Sequence, residues 1–164
     1  MDSFSHALWA YVIGIILNHF GAHISIVALI IFAVIPDIAL IPIAIREAVP
    51  VLKKKTTILF LSEHLDRFTK TAYHLTHSYI VLAAIAAVTY YFNQELVIPL
   101  LIGWGIMHIT IDIFVHKLGT TISPFYPISN HEIKGLLNWY MNKKFMAINI
   151  LLLLAALWLT FYLK

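Results

Sequence analysis

Hydrophobic and polar positions divide the chain into long apolar segments joined by polar stretches. Five segments each have about the 17–25 residues that a membrane-spanning helix needs. Their approximate limits are residues 4–20, 24–45, 72–92, 96–115 and 145–163. Proline is tolerated in such a helix when neighbouring groups satisfy the freed carbonyls, so Pro36, Pro42 and Pro99 are compatible with spans. The pattern predicts an all-α, polytopic membrane bundle of about five transmembrane helices, forming a single domain over residues 1–164.

Two of the connecting stretches have the helical spacing of an amphipathic surface helix. Their apolar side chains fall on one face in each case. They are Ile58, Leu61, Leu65 and Phe68 in the first, and Ile133, Leu136, Leu137 and Tyr140 in the second. Ser129 and Glu132 have the spacing of a capping box before the second stretch. One or two interfacial helices are therefore expected beside the spans.

Composition supports a membrane protein and restricts the metal chemistry. The chain is 61% hydrophobic and only 12% charged, whereas about a quarter of the residues in a soluble domain are charged. Cysteine is absent, which excludes disulfides and thiolate zinc sites, so a metal site must use imidazole and carboxylate. The net charge of +3 comes from loop lysines, which suit an anionic lipid surface, and no nucleic-acid partner is expected.

Basic residues are concentrated in two of the loops. The loop before the third segment and the loop before the fifth hold almost all of them: Arg46, Lys53, Lys54, Lys55, Arg67 and Lys70 in one, and Lys117, Lys134, Lys143 and Lys144 in the other. The opposite side has only Lys164. Because basic loops stay in the cytoplasm, we expect a multi-pass protein of the inner membrane with a cytoplasmic N-terminus and an external C-terminus.

Two carboxylates, Asp37 and Asp112, lie inside the apolar segments, and histidines lie at a matching depth. An ionisable side chain in a span is costly and usually marks a functional site. His74 and His77 are i and i+3, and His108 and Asp112 are i and i+4, so each pair shares a helix face. At 1.5 Å of rise per residue, these residues lie roughly 3–12 Å inside the cytoplasmic boundary.

This set of side chains is typical of metal sites built between the helices of a bundle. The predicted ligands are His6, Asp37, His74, His77, His108 and Asp112, and His116 continues the face of the last two. Nitrogen and oxygen donors suit zinc, with manganese and iron as alternatives. Asp37, the deepest, is also the predicted catalytic proton acceptor.

Each residue also has a simpler interpretation when it is taken alone. A single membrane histidine such as His77 can make an interhelical hydrogen bond, and His108 with Asp112 can form a proton relay. Asp37 can bond backbone groups freed by Pro36, and His6 can lie at the interface. Surface positions are expected for His19, His23, His64 and His131, and helix packing is expected for Ser78.

Several short motifs follow one another in order over about three-quarters of the chain. They are His6, Pro36-Asp37, Thr76-His77-Ser78, His108 to Asp112 with Gly119, and Tyr126-Pro127-Ile128-Ser129. This ordered set resembles a family of small inner-membrane proteins described as metal-dependent hydrolases of the LexA-regulated type, similar to zinc-dependent phospholipases. The chain departs from the family pattern at Ala39, where a second acid is common, and at Ala72-Tyr73-His74, where His-Arg-Gly is common.

The residues and the resemblance together predict a membrane-embedded, metal-dependent hydrolase. The expected substrate is an ester or phosphoester of a lipid or lipid-linked molecule, reached from the cytoplasmic half of the bilayer, with one divalent metal as cofactor. A proton- or metal-ion-coupled transporter is the first alternative, because intramembrane acids and histidines also carry ions. A non-enzymatic membrane scaffold is the second alternative.

Overall fold

Six helices form the part of the chain that the computed structural model describes, which is residues 2–38, 41–42, 67–117 and 121–163, without the Tyr140 side chain. They are α1 (Ser3–His19), α2 (Ile26–Ile38), α3 (Arg67–Thr76), α4 (Tyr79–Phe92), α5 (Gln94–Val115) and α6 (Lys143–Thr160). A single 3₁₀ turn, Trp139–Met141, precedes α6. These ranges contain no β-strand, only an isolated bridge between Ile122 and Ile133. The all-α prediction is confirmed.

The described residues contain fewer spans than the five predicted. Only α5 and α6 are long and apolar enough to cross a membrane, and α3 with α4 adds a third if this pair, bent by 59°, counts as one span. Helix α1 follows the first run but has only 17 residues, ending before a turn where Gly21 has φ +86°. The third run is broken between α3 and α4, and α2 has 13 residues as far as Ile38. The rest of the second run, to residue 45, lies mostly outside the described ranges.

The second predicted interfacial helix is wrong. The backbone of residues 121–138 makes no helix; instead, its N–H groups satisfy carbonyls elsewhere. Gly135 N donates to His116 O at 2.9 Å and Leu136 N to Phe114 O at 2.8 Å, so the segment caps the C-terminal end of α5. A Cβ at Gly135 would lie 2.7 Å from the carbonyl oxygen of Ile113, which explains the glycine. Helix ends leave carbonyls that need such partners.

The first predicted interfacial helix falls almost entirely outside the described ranges. Ile58, Leu61 and Leu65 belong to that part of the chain, as do the basic residues 53–55, Arg46, His64 and Gly119. Its last member, Phe68, lies in α3 and is exposed.

A tight turn and a close approach hold α1, α2 and α5 together. The Asn18 side chain bonds both backbone groups of Ile24, accepting at 2.7 Å and donating at 2.9 Å, and so closes the turn between α1 and α2. A Cβ at Gly103 of α5 would lie 2.6 Å from the carbonyl oxygen of Leu29, so only glycine lets α5 approach α2 this closely. The buried cluster of Ala10, Leu29, Ala33 and Met107 fills the space between the three helices.

The middle of α5 is a π-helix, Leu101–Thr110. π-Helical winding is rare in proteins, and where it occurs it is often part of a functional site. Trp104, within it, donates from Nε1 to the carbonyl oxygen of Thr76 at 2.7 Å and so ties α5 to the last residue of α3. The bend between α3 and α4 is therefore fixed by a side chain from the helix that also carries His108 and Asp112.

Helix α6 lies at the outside of the bundle. Only 11% of its apolar stretch is buried, and Leu151, Leu154 and Trp158 are exposed, as suits contact with lipid. Asn149 holds α6 to α1, because its side chain accepts from Trp9 Nε1 at 3.0 Å and donates to Ser5 Oγ at 3.1 Å.

Candidate metal centre

His77 lies at the bend between α3 and α4, one residue beyond the end of α3. Ser78 then begins α4 as its N-cap, accepting from the backbone N–H of Ile80 and Val81. The neighbouring loop completes the bend, since Tyr79 N donates to the carbonyl oxygen of Pro124 at 2.8 Å. Non-helical backbone is tolerated at membrane depth where the protein satisfies it. The Thr-His-Ser element is thus a structured break that places His77 in the interior.

Three buried histidine rings are held in the same way, each by its Nδ1 on a backbone carbonyl. His6 bonds the carbonyl oxygen of Met107 at 2.6 Å, His77 that of Tyr73 at 2.9 Å and His108 that of Ala33 at 2.7 Å. A carbonyl oxygen only accepts, so each Nδ1 must carry the proton. Each neutral ring then presents a lone pair at Nε2. This tautomer and this anchoring are what histidine ligands of metals ordinarily have.

The three Nε2 atoms converge on the two intramembrane carboxylates. Nε2 of His77 lies 3.0 Å from Nε2 of His108. Asp112 Oδ1 lies 3.1 Å from His6 Nε2, and its Oδ2 lies 3.5 Å from His108 and 3.8 Å from His77. Asp37 Oδ1 lies 3.5 Å from His108 Nε2. Ligand atoms of Asp37, His77, His108 and Asp112 all lie within 4.8 Å of one another.

The donor set fits a metal ion in both charge and spacing. With every Nδ1 proton used on a carbonyl, the group consists of lone pairs and carboxylate oxygens facing one another, which only protons or a cation can stabilise. Ligands of a tetrahedral zinc ion at about 2.0–2.1 Å are about 3.3 Å apart. The observed separations of 3.0–3.8 Å between neighbouring donors bracket that value. The Asp and His cluster could therefore bind a metal ion, whose identity the geometry does not choose.

Asp37 differs from the other members in being partly open. Its side chain is 15% exposed, against 2% for Asp112. The Ser3 hydroxyl donates to Asp37 Oδ2, which leaves Oδ1 facing His108. The cluster therefore reaches the outside of the protein on the Asp37 side.

The structure brings five of the six predicted ligands together and leaves the sixth apart. His6, Asp37, His77, His108 and Asp112 form the cluster, whereas His74 lies against Tyr126, with ring centroids 5.7 Å apart. The reason is the bend: the i, i+3 rule holds for one continuous helix, and α3 ends at Thr76, before His77.

Two side chains outside the predicted ligand set also contact the site. His116, which its spacing placed on the face of His108 and Asp112, has its Nε2 3.5 Å from Asp112 Oδ2. Ser3 precedes the first apolar segment, and nothing in its sequence context indicates a bond to a carboxylate 34 positions away.

The whole chain, residues 1–164, matches the family model described as YdjM inner membrane protein. No curated protein and no solved structure matches the chain. The match confirms the inner-membrane part of the resemblance that the motifs indicated, and membrane helices agree with it.

Proposed function

Since the chain belongs to the YdjM inner membrane protein family, we propose that it is a metal-dependent hydrolase embedded in the inner membrane. It binds one divalent cation, with zinc as the first choice, through His77, His108 and Asp112; Asp37 completes the cluster as the general base, and His6 and His116 position Asp112. Its substrate is an ester or phosphoester of a lipid or lipid-linked molecule.

One observation carries the proposal: Nε2 atoms of His77 and His108 face each other at 3.0 Å although both rings donate from Nδ1 to carbonyls. Two neutral rings in this tautomer cannot bond each other, because neither Nε2 has a proton to donate. A structural hydrogen-bond network would alternate donors and acceptors. A cation between the two lone pairs and the Asp112 carboxylate removes the conflict.

A bound divalent cation would supply a water of lowered pKa and polarise an ester or phosphoryl oxygen. The chain's own residues would do the rest. The Nδ1 bonds hold the imidazoles in place before substrate arrives, and burial of Asp112 excludes bulk water from that side. Asp37, the most open member, takes up the proton as general base, and the Ser3 hydroxyl orients its carboxylate.

The position of the site supports the proposal of a lipid substrate. The ligands belong to helices of an apolar bundle whose outer surfaces, on α4 and α6, are covered with exposed Val, Leu, Tyr and Phe side chains. A soluble macromolecule would not reach into such a bundle, whereas a headgroup at the bilayer surface would. We propose that the basic loops, and with them the site, face the cytoplasm, with the N-terminus inside and the C-terminus outside.

Elemental analysis of the purified protein tests the metal. We expect about one transition-metal ion per chain in wild type and in His131→Ala, an exposed histidine that serves as control, and little metal in His108→Ala. Stoichiometric metal retained in His108→Ala would refute the site.

Turnover of a panel of phospholipids and lipid phosphates tests the reaction. Asp37→Asn keeps the size of the side chain and removes its charge, so it should lower turnover more than metal content. Joint loss of metal and turnover would make Asp37 a ligand instead of the base. If metal-loaded wild type hydrolyses nothing while vesicles show metal- or proton-gradient-driven flux, the protein is a transporter.

A further inference from the structure

A cavity lies beside the candidate metal centre, between α3 and the loop that follows α5. Its volume is about 320 Å³, at the lower end of the about 300–1,000 Å³ usual for small-molecule sites. Every residue that lines it carries a polar or charged group, although side-chain carbons supply most of the lining surface: Arg67, Lys70, Thr71, His74, Ser123, Tyr126, Asn130 and Glu132. Such a lining indicates a polar or charged ligand.

His74 is the lining residue that most directly indicates a bound ligand. It is 7% exposed, and its buried Nδ1 has no hydrogen-bond partner among the described residues. A buried ring nitrogen without a partner is costly, so a polar ligand at this position would stabilise it. Ser123, on the facing loop, is also buried and lines the same cavity.

One aromatic ring separates this cavity from the metal centre. The Tyr73 ring lies 4.1 Å from the His77 ring and 5.8 Å from the His74 ring, centroid to centroid. On the other wall, the Ser78 hydroxyl donates to the carbonyl oxygen of Tyr126, so the residue after His77 is bonded to the cavity lining. The cavity and the Asp and His cluster are therefore neighbours, one aromatic ring apart.

Charge in the cavity favours an anion. Lys70 and Glu132 form an exposed ion pair of 3.4 Å. Exposed ion pairs are weak, so an anionic ligand can compete with Glu132 for Lys70. The Thr121 hydroxyl also donates to Glu132 and, with Lys70, holds the pKa of that carboxyl below its ordinary value, so Glu132 is ionised at neutral pH. The charges of Lys70 and Glu132 cancel, so Arg67 gives the lining one net positive charge. Its guanidinium offers the forked donors that match phosphate oxygens.

We propose that this cavity binds a phosphate group. Arg67 and Lys70 supply charge, and His74, Thr71, Ser123 and Asn130 supply neutral donors. As a subsite for the phosphate of a lipid headgroup, the cavity rests on the proposed function, and it narrows the substrate to a phosphate-bearing one. Phosphate binding in itself does not depend on the metal centre.

The test measures binding of inorganic phosphate, and of nanodiscs with phosphatidic acid against nanodiscs of phosphatidylcholine alone, to the full chain in detergent. Arg67→Gln should weaken phosphate binding about tenfold, which is the usual effect of losing a charged hydrogen bond. Lys134→Gln, an exposed lysine outside the cavity, should change it by less than about twofold. Glu132→Gln should strengthen it, because a negative charge leaves the wall.

Metal-free His108→Ala protein separates this proposal from the proposed function. Phosphate binding that persists there and still needs Arg67 supports the cavity, whether or not any hydrolysis is found. Binding that is lost in His108→Ala but unchanged in Arg67→Gln makes phosphate a metal ligand and overturns the proposal. Equal weakening by Arg67→Gln and Lys134→Gln makes the attraction one of net charge, which also overturns it. If free phosphate binds but nanodiscs with phosphatidic acid bind no better than those of phosphatidylcholine alone, the phosphate site is supported and its ligand is a soluble phosphate instead of a lipid headgroup.

Discussion

Replacement of Asp112 by asparagine separates a metal site from a buried hydrogen-bond network. Asp112 is 2% exposed and has histidine Nε2 atoms at 3.1, 3.5, 3.5 and 3.8 Å. Asparagine has nearly the same shape, so packing is kept while the charge is removed and two N–H donors are added. The substitution therefore has opposite effects with and without metal.

Without metal, we expect Asp112→Asn to melt at the same temperature as wild type or higher. At pH 8, where an ordinary histidine is neutral, wild type sets a carboxylate against the acceptor nitrogens of His6, His77 and His108. The asparagine amide can donate to Nε2 of His6, and such a bond contributes about 0.5–1.5 kcal/mol.

With metal, the order reverses. A cation present at about 100 times its Kd stabilises wild type by about 2.7 kcal/mol. For a chain of this length that raises Tm by about 5–11 °C, at about 2–4 °C per kcal/mol. Loss of a ligand weakens binding by at least the roughly hundredfold seen for outer partners of metal ligands. At the same concentration the variant then gains about 0.4 kcal/mol, or about 1–2 °C.

The assay is thermal unfolding in detergent at pH 8, with chelator and then with zinc or manganese, for wild type, Asp112→Asn and His131→Ala. His131→Ala should follow wild type in both conditions. A lower Tm for Asp112→Asn in chelator, together with no response of wild type to any metal, would mean that Asp112 accepts hydrogen bonds from Nε2 of the surrounding histidines. That result would refute the reasoning from lone pairs.

Three further predictions follow from the bend, the loop and the charge pattern. His74→Ala should keep its metal, since His74 lies outside the cluster, and elemental analysis that finds metal loss equal to that of His108→Ala would contradict the geometry. Gly135→Ala should lower Tm, because its Cβ would meet carbonyl oxygens at 2.7 and 2.8 Å, with Lys134→Ala as the neighbouring control; an equal Tm for both would refute the close approach. A cysteine at position 56 should be protected from an impermeant reagent in intact cells, and strong labelling there would invert the proposed orientation.

Much of the candidate site could be predicted from the sequence because intramembrane polar residues are rare. Asp37 and Asp112 stand out against apolar neighbours, and a chain that keeps them must have a use for them. The predicted pairing of His108 with Asp112 holds although His108 lies in a π-helical stretch, since both side chains are on the inner side of α5.

The number of spans could not be predicted in the same way. Hydrophobicity shows that a segment is apolar but does not show where its backbone breaks. The break at His77 depends on partners that are distant in sequence, namely Trp104, Pro124 and Tyr126. The capping of α5 by Gly135 and Leu136 likewise removed a helix that its own spacing favoured.

By itself, the sequence determined that this is a helical membrane protein and that any metal site in it must use imidazole and carboxylate, because composition and hydrophobic length depend on no tertiary contact. The tertiary structure decided which histidines meet. Backbone carbonyls of Met107, Tyr73 and Ala33 fix the tautomers, and the bend after Thr76 places His77 in the candidate metal centre and His74 in the neighbouring cavity. Those outcomes depend on hydrogen bonds between helices, and local spacing does not specify them.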